Sequence, residues 1–280
     1  MGSSPKKELL RFLAEDIQCG DITSALLPNQ KIVAKIISRE QGIVAGVKFA
    51  IDIFRLKECH ASPFIKDGSR LKANQIILQV SGKAKSILSC ERTVLNLLAR
   101  MSGIATQTNH LVSQIRKHSK KTNLYSTRKT APGLRYFDKE AVRIGGGHKH
   151  RMSLGDMIML KDNHLLLCNS MKDIIKKARK KHRQVEVEVE NQRDSILAAE
   201  YGATIIMLDN FSPSQIKKTI TVLRKKKLRN RVKLEASGGI NSKNIDAYAK
   251  TGVDMISVGS ITNSVAGLDL SLEVCPPSKK

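Results

Sequence analysis

From about residue 120 onward the sequence repeats one unit, and that repetition limits the fold more than any other feature. NLYST (123–127), DMIML (156–160), VEVEV (185–189), TIIML (204–208), VKLEA (232–236) and MISVG (255–259) are short β-type runs, and helical stretches separate the later ones. Their spacing, about 20 to about 30 residues, is the length of one strand plus one crossover helix. Repeated units of that kind predict an α/β fold, a parallel sheet with helices outside it. Six such runs favour a barrel over an open sheet, although closure is not fixed by sequence. Composition agrees: 41% of the residues are hydrophobic but only 4% aromatic, with no Trp, so the core is aliphatic and suits strands buried on both faces.

The first part of the chain lacks this rhythm. Residues 7–18 read as an amphipathic helix, 31–40 and 42–47 as strands turning at Gly42, 47–58 as a helix and 75–82 as a strand. That mixture predicts a separate α+β domain. A helical pattern then runs from about Ile87 to His118, with Leu95, Leu98 and Ile104 on its apolar face. Gly103 interrupts it, which predicts two helices or one kinked helix.

The formal net charge is +24. Nucleic-acid binding, attraction of anionic substrates and a merely solvated surface all compete as explanations. Much of the excess falls in 172–183 and 217–233, where apolar residues recur at helical spacing, so solvated helix faces are expected there. The five cysteines, Cys19, Cys59, Cys90, Cys168 and Cys275, show no metal-ligand or redox spacing, and an odd count argues against a disulfide framework. A reduced, cytoplasmic setting is expected. The N-terminus is too polar for a signal peptide, and no apolar run approaches the ~20 residues of a membrane span.

In a parallel barrel the chemistry sits at the C-terminal strand ends. Arg128 and Lys129 follow the first run; Lys161, Asp162, Asn163 and His164 the second; Glu188 and Glu190 stand late in or after the third; Asp209 and Asn210 follow the fourth; Ser237, Gly238 and Gly239 the fifth; Gly259 and Ser260 the sixth. Arg128, Lys129 and Lys161 can clamp carboxylates or phosphates. Glu188 and Asp209, on adjacent strands, can share a Mg²⁺, which prefers hard oxygen ligands. The Ser-Gly-Gly and Gly-Ser pairs offer backbone N–H groups for a phosphate. Together they predict a site for a phosphorylated sugar carrying pyrophosphate. Between the first two runs, Gly145-Gly146-Gly147 is expected to approach a ligand or make a sharp turn rather than pack a core. A zinc site from His148, His150 and His164 lacks a fourth ligand at a familiar spacing.

EDIQCGDITS (15–24), ERTVLNLLARMSGIAT (91–106), STRKTAPGLR (126–135), DKEAVRIGGGHKHR (138–151), MLKDNH (159–164), VEVEVEN (185–191), MLDNF (207–211), LEASGGI (234–240) and TGVDMISVGSIT (251–262) stand in the order of one known family. On these stretches the chain closely resembles the quinolinate phosphoribosyltransferases, also called nicotinate-nucleotide pyrophosphorylases (carboxylating). The resemblance implies an N-terminal α/β sandwich domain (1–110, rejoined by 265–280) and an incomplete TIM-like α/β barrel (111–264). It implies a homodimer in which Arg92 enters the partner's site and binds quinolinate. Arg128, His150, Arg151 and Lys161 match the pocket around the two pyridine carboxylates. Lys129, Glu188 and Asp209 match the groups around phosphoribosyl pyrophosphate and its Mg²⁺, and Ser237, Gly238, Gly239 and Gly259 the cradle for the 5′-phosphate.

Two positions depart from the family pattern. Lys149 stands where Asn is usual, and Asn263 stands where the family often has a His that would bind phosphate more strongly. Two other assignments are weaker. A pyrophosphorylase-like protein of molybdenum transport operons is disfavoured by the intact Thr127-Arg128-Lys129-Thr130 and Lys161-Asp162-Asn163-His164. A basic nucleic-acid-binding module is disfavoured by the scarcity of aromatic stacking residues. Neither nucleic acid nor membrane is an expected partner. Arg128→Ala and Arg151→Ala should each raise the quinolinate KM or abolish turnover with the fold intact, and wild-type kinetics in both variants would remove the pocket assignment.

Overall fold

The computed structural model describes residues 4–276. The chain divides into two compact units: residues 4–109, 131–146 and 264–276 form one, and 110–130 with 147–263 the other.

The first unit opens with α1 (Pro5–Ile17), capped by Ser4 with Pro5 at its first turn, and buries Leu9 and Leu13. α2 (Ile22–Ala25) is a single turn capped by Asp21. Then come β1 (Lys31–Ser38), β2 (Gly42–Ile43), α3 (Val47–Leu56), β3 (His60–Pro63), β4 (Arg70–Leu71), β5 (Ile76–Lys83) and the start of α4 (Ala84–His118). The expected strand over 42–47 shrinks to two residues. Gly46 takes φ 102° and leads into α3, and the Asp67 carboxylate accepts from the N–H groups of Gly46 and Val47. The run thus becomes a capped helix start rather than a ladder.

α4 is one continuous helix of 35 residues, not two. Gly103 serves another purpose: a Cβ there would lie 2.0 Å from the carbonyl oxygen of Ala266. The returning chain crosses the helix at that point, and Leu268 N–H donates to Ala99 O. α4 passes from the first unit into the second, where β6 (Asn123–Tyr125) follows. α5 (Arg135–Ile144) belongs again to the first unit. A two-pronged ion pair ties it to α4: Arg100 Nε and Nη2 donate to the two oxygens of the fully buried Asp138, at 2.8 and 2.9 Å. Burial still pushes the Asp138 carboxyl up, against the pull of Arg100. The glycines after α5 make the expected turn but also pack, which was not expected. Gly145 and Gly147 are buried, and a Cβ on Gly145 would lie 2.5 Å from Ala105 O, so this stretch does pack, backbone against α4. Gly146, at φ 93°, makes the turn.

The remaining elements are β7 (Ile158–Leu160), α6 (Asp162–Leu166), α7 (Met171–Lys181), β8 (Val185–Val189), α8 (Gln192–Glu200), β9 (Ile205–Asp209), α9 (Pro213–Lys225), a 3₁₀ turn (Arg229–Arg231), β10 (Lys233–Ser237), α10 (Ile245–Ala249), β11 (Met255–Ser257), α11 (Ser260–Asn263) and β12 (Leu270–Val274). In the first unit the antiparallel sheet runs β12-β1-β5-β3, and β2 pairs with β4. In the second unit six parallel strands run β6-β11-β10-β9-β8-β7. A single bridge between Tyr125 and His148 adds a one-residue stave outside β6. This is the expected parallel α/β architecture, an incomplete barrel. α7 buries Ile175 and Ala178, and α9 buries Ile216, Thr219, Ile220 and Leu223, while the lysines and arginines of both helices are exposed. No helix among the described residues is long and apolar enough to cross a membrane.

Gly103→Ala should destabilise the protein. Ala gains about 1 kcal/mol of helix propensity over Gly, but a methyl forced against a backbone carbonyl costs about 1–3 kcal/mol or more. A denaturation midpoint at or above that of wild type would contradict the close approach at Ala266.

Candidate active site

The register of the parallel sheet sorts its strands into two faces. Glu186 pairs with Ile205 and Met159, Glu188 with Met207, and Glu235 with Met207 and Met255, so these residues share the inner face. That face is layered. At its base Met157, Ile205 and Met255 pack together, with Tyr125 and Met159 against them.

Above this base lies a buried polar layer. Glu186 and Glu235 are fully buried. Ser257 Oγ donates to Glu235 Oε1 at 2.5 Å, and His150 Nε2 lies 3.2 Å from Glu235 Oε2. Glu186 Oε2 is 3.4 Å from the same nitrogen but makes no hydrogen bond of good geometry. On the other side of the ring, Nδ1 accepts from the backbone N–H of Arg151 at 2.8 Å. The edge of the Tyr125 ring packs nearby, with centroids 5.9 Å apart. Burial, reinforced by the charge of Glu235, pushes the Glu186 carboxyl up to about 7. Burial pulls the His150 imidazolium down, but the neighbouring carboxylates of Glu186 and Glu235 outweigh it, so the cluster holds a proton more tightly than a free imidazole does. The cluster therefore retains a proton at neutral pH. Because Nδ1 accepts from an N–H, the geometry assigns the ring's own proton to Nε2 and the retained proton to the acid pair.

The third layer is a cavity of about 420 Å³ at the C-terminal strand ends. Arg128, Lys129, Arg151 and Lys161 supply its cations; Glu188 and Asp209 are the carboxylates at its mouth. Lys161 Nζ is 2.5 Å from Glu188 Oε2, and Asn210 Nδ2 donates to Asp209 Oδ2 at 2.8 Å. Arg128 Nε is buried without a hydrogen-bond partner. Arg151 donates to Met157 O and contacts Met159 Sδ; burial and the charge of Arg128 lower its pKa.

Ser237 lines the same cavity, and the loop after it is shaped by glycine. Gly238 and Gly239 take φ 92° and 63°, and a Cβ on Gly238 would lie 2.2 Å from Asn210 Oδ1. A Cβ on Gly259 would meet Lys129 Cδ at 3.3 Å and Asn263 Nδ2 at 3.9 Å, so Gly259, Lys129 and Asn263 converge. Thr262 Oγ1 donates to Lys129 O at 2.8 Å, tying the end of the sixth run to that of the first.

Arg92 is exposed on α4 in the first unit. Among the described residues, the metal-ligating geometry found is His150, Glu186 and Glu235, whose ligand atoms lie within 4.8 Å of one another. His148 and His164 are not in it. His148 stacks on Tyr125, and His164 Nδ1 accepts from Lys161 N–H to cap α6. Sequence reasoning missed Glu186, Glu235 and Ser257. The available signal was parity: Glu186 shares the face of Glu188, and Glu235 stands between Leu234 and Ala236 in a buried strand.

Two descriptions of quinolinate phosphoribosyl transferase match this sequence, the N-terminal domain over residues 21–102 and the C-terminal domain over 104–273. A probable nicotinate-nucleotide pyrophosphorylase [carboxylating] of Methanothermobacter thermautotrophicus is 43% identical, over 96% of this chain and 97% of its own length. The probable Bacillus subtilis protein of the same name is 40% identical over 96% and 93%. The structure of the nicotinate-nucleotide pyrophosphorylase from Francisella tularensis superposes with a TM-score of 0.90 at 40% identity, covering 98% of each chain. The chain belongs to the quinolinate phosphoribosyltransferase family.

Proposed function

We infer that the cavity at the strand ends is where this enzyme joins quinolinate to 5-phosphoribosyl 1-pyrophosphate, giving nicotinate mononucleotide, pyrophosphate and CO₂ in NAD biosynthesis. One observation carries the placement. Four cations, Arg128, Lys129, Arg151 and Lys161, line a small cavity with three carboxylates, of which Glu235 is already bonded to Ser257 and His150, and among the described residues Arg128 keeps a buried Nε–H unpaired. A buried unsatisfied donor costs about 1–3 kcal/mol. An anionic substrate removes that cost.

Arg128, Arg151 and Lys161 are suited to the two pyridine carboxylates. Lys129 and the backbone around Ser237, Gly238, Gly239 and Gly259 are suited to the phosphates, with the Asn263 amide as a neutral donor. Gly238 and Gly239, both at positive φ, offer backbone without side chains to a phosphate. Holding a dianion beside a more negative donor costs several kcal/mol in a poorly hydrated pocket. Fixed cations remove that cost and set the approach of the ring nitrogen to the anomeric carbon. The N–C bond forms as the C–O bond to pyrophosphate breaks. The cationic ring then loses its neighbouring carboxylate as CO₂, and the carbanion left at that carbon takes a proton. No protein nucleophile is required.

The carboxylates fit Mg²⁺. Glu188 and Asp209 end adjacent strands, and among the described residues Glu188 Oε1 and Asp209 Oδ1 carry no hydrogen bond. These two residues would hold the ion, which would neutralise the departing pyrophosphate. The same reading makes Arg92 a contribution to the site of a second copy, in a homodimer. It also places the enzyme in the cytoplasm, which the free state of all five cysteines supports.

Quinolinate-dependent release of pyrophosphate and CO₂ should be lost in a chelator and restored by Mg²⁺; activity unaffected by chelation would remove the metal from the scheme. Arg92→Ala and Arg128→Ala should each be inactive alone. Unfolded together and refolded, an equal mixture should regain about a quarter of wild-type activity, because half the dimers carry one intact site. A mixture that stays inactive would argue against shared sites.

A further inference from the structure

The family resemblance counts His150 among the groups around quinolinate, yet both of its ring nitrogens are spent on the protein. Nε2 faces Glu235 and Glu186 in the buried layer, and Nδ1 accepts from Arg151 N–H. Its side chain is only 7% exposed. The residue also sits at φ 53°, in the left-handed region that a side chain disfavours. A conformation of this kind persists only where its surroundings over-determine it. Here the surroundings are named: Ser257 fixes one oxygen of Glu235, the other oxygen fixes Nε2, and Nδ1 fixes the next peptide N–H. The residue carrying that N–H is Arg151, whose side chain lines the cavity.

We propose that Ser257, Glu235 and His150, which line the cavity together, form a positioning chain that locks the backbone at residues 150–151 and so aims the Arg151 guanidinium. This rests on the reading of the cavity as the quinolinate site. Glu235, carried on β10, and Ser257, carried on β11, are held by the sheet ladder itself. The chain therefore transmits the rigidity of the parallel sheet to a residue in the loop before β7. Glu186 supplies a second carboxylate to the same nitrogen and no polar group of its own to the cavity.

The chain of bonds depends on direction. An amide at position 235 has one acceptor and one donor end. If its oxygen keeps Ser257, its NH₂ meets Nε2–H; the ring must then move its proton to Nδ1, and Arg151 N–H loses its acceptor.

Quinolinate affinity should be measured by calorimetry, with steady-state kinetics alongside, for wild type, Glu235→Gln, Arg151→Ala and the double variant. We expect Glu235→Gln to weaken quinolinate ~10-fold or more, to leave the KM for phosphoribosyl pyrophosphate within ~2-fold, and to add nothing to Arg151→Ala. Penalties that add in the double variant would show that Glu235 and His150 act independently of Arg151 and would overturn the proposal. ¹⁵N spectra of wild-type protein read the His150 tautomer without any variant: Nε2 protonated and Nδ1 bare, before and after quinolinate is added. A protonated Nδ1 that shifts on adding quinolinate would also overturn it. If Glu235→Gln does not fold, Ser257→Ala, which loosens Glu235 and keeps its charge, should weaken quinolinate ~3-fold; no weakening counts against the chain. Wild-type protein that binds no quinolinate would refute the functional reading, while the His150 spectrum would still test the bonds.

Discussion

Two glutamates buried on the inner face of a parallel sheet set the terms for everything around them. Isolated carboxylates there would be strongly destabilising, so each must be partnered or protonated. Ser257 and His150 partner Glu235, and Glu186 remains protonated to about neutral pH. This layer separates an apolar base of Met157, Ile205 and Met255 from a cavity rich in cations. The inner face thus changes from apolar to acidic to basic over the length of a five-residue strand.

The arrangement explains how the cations can sit together. Arg128 and Arg151 are close enough for one to depress the pKa of the other, and burial acts in the same direction. Glu186 and Glu188 oppose that effect. The net charge of +24 has little to do with this balance. Most of the excess on α7 and α9 is in water, where ions and distance screen it. The charge that matters for the proposed chemistry is the small set lining the cavity.

Glycines give the structure its close approaches, and each has a different partner. Gly103 admits a returning strand of chain against α4, Gly145 admits the end of α5 against the same helix, and Gly238 admits the side chain of Asn210. In two of these places the sequence suggested something else, a break or kink in the helix at Gly103 and ligand approach or a sharp turn at Gly145-Gly146-Gly147. Backbone packed against backbone was the actual reason, and nothing local to Gly103 or Gly145 specifies the segment that arrives there.

The sequence by itself determined the α/β class, through the period of its β-type runs, and the order of charged and glycine residues at the strand ends. It also carried the family, through motifs spread along nearly the whole chain. It did not determine which side of each strand those residues would occupy. VEVEVE alternates, a pattern an exposed amphipathic strand would also show; β8 is instead buried on both faces, because helices cover one and the other strands' side chains fill the other. Only the tertiary structure turned Glu186 and Glu235 inward, set His150 against them at the floor of the cavity, and left Arg128 with a buried donor. Alternation specifies two faces, and it takes the neighbours from distant parts of the chain to decide what each face meets.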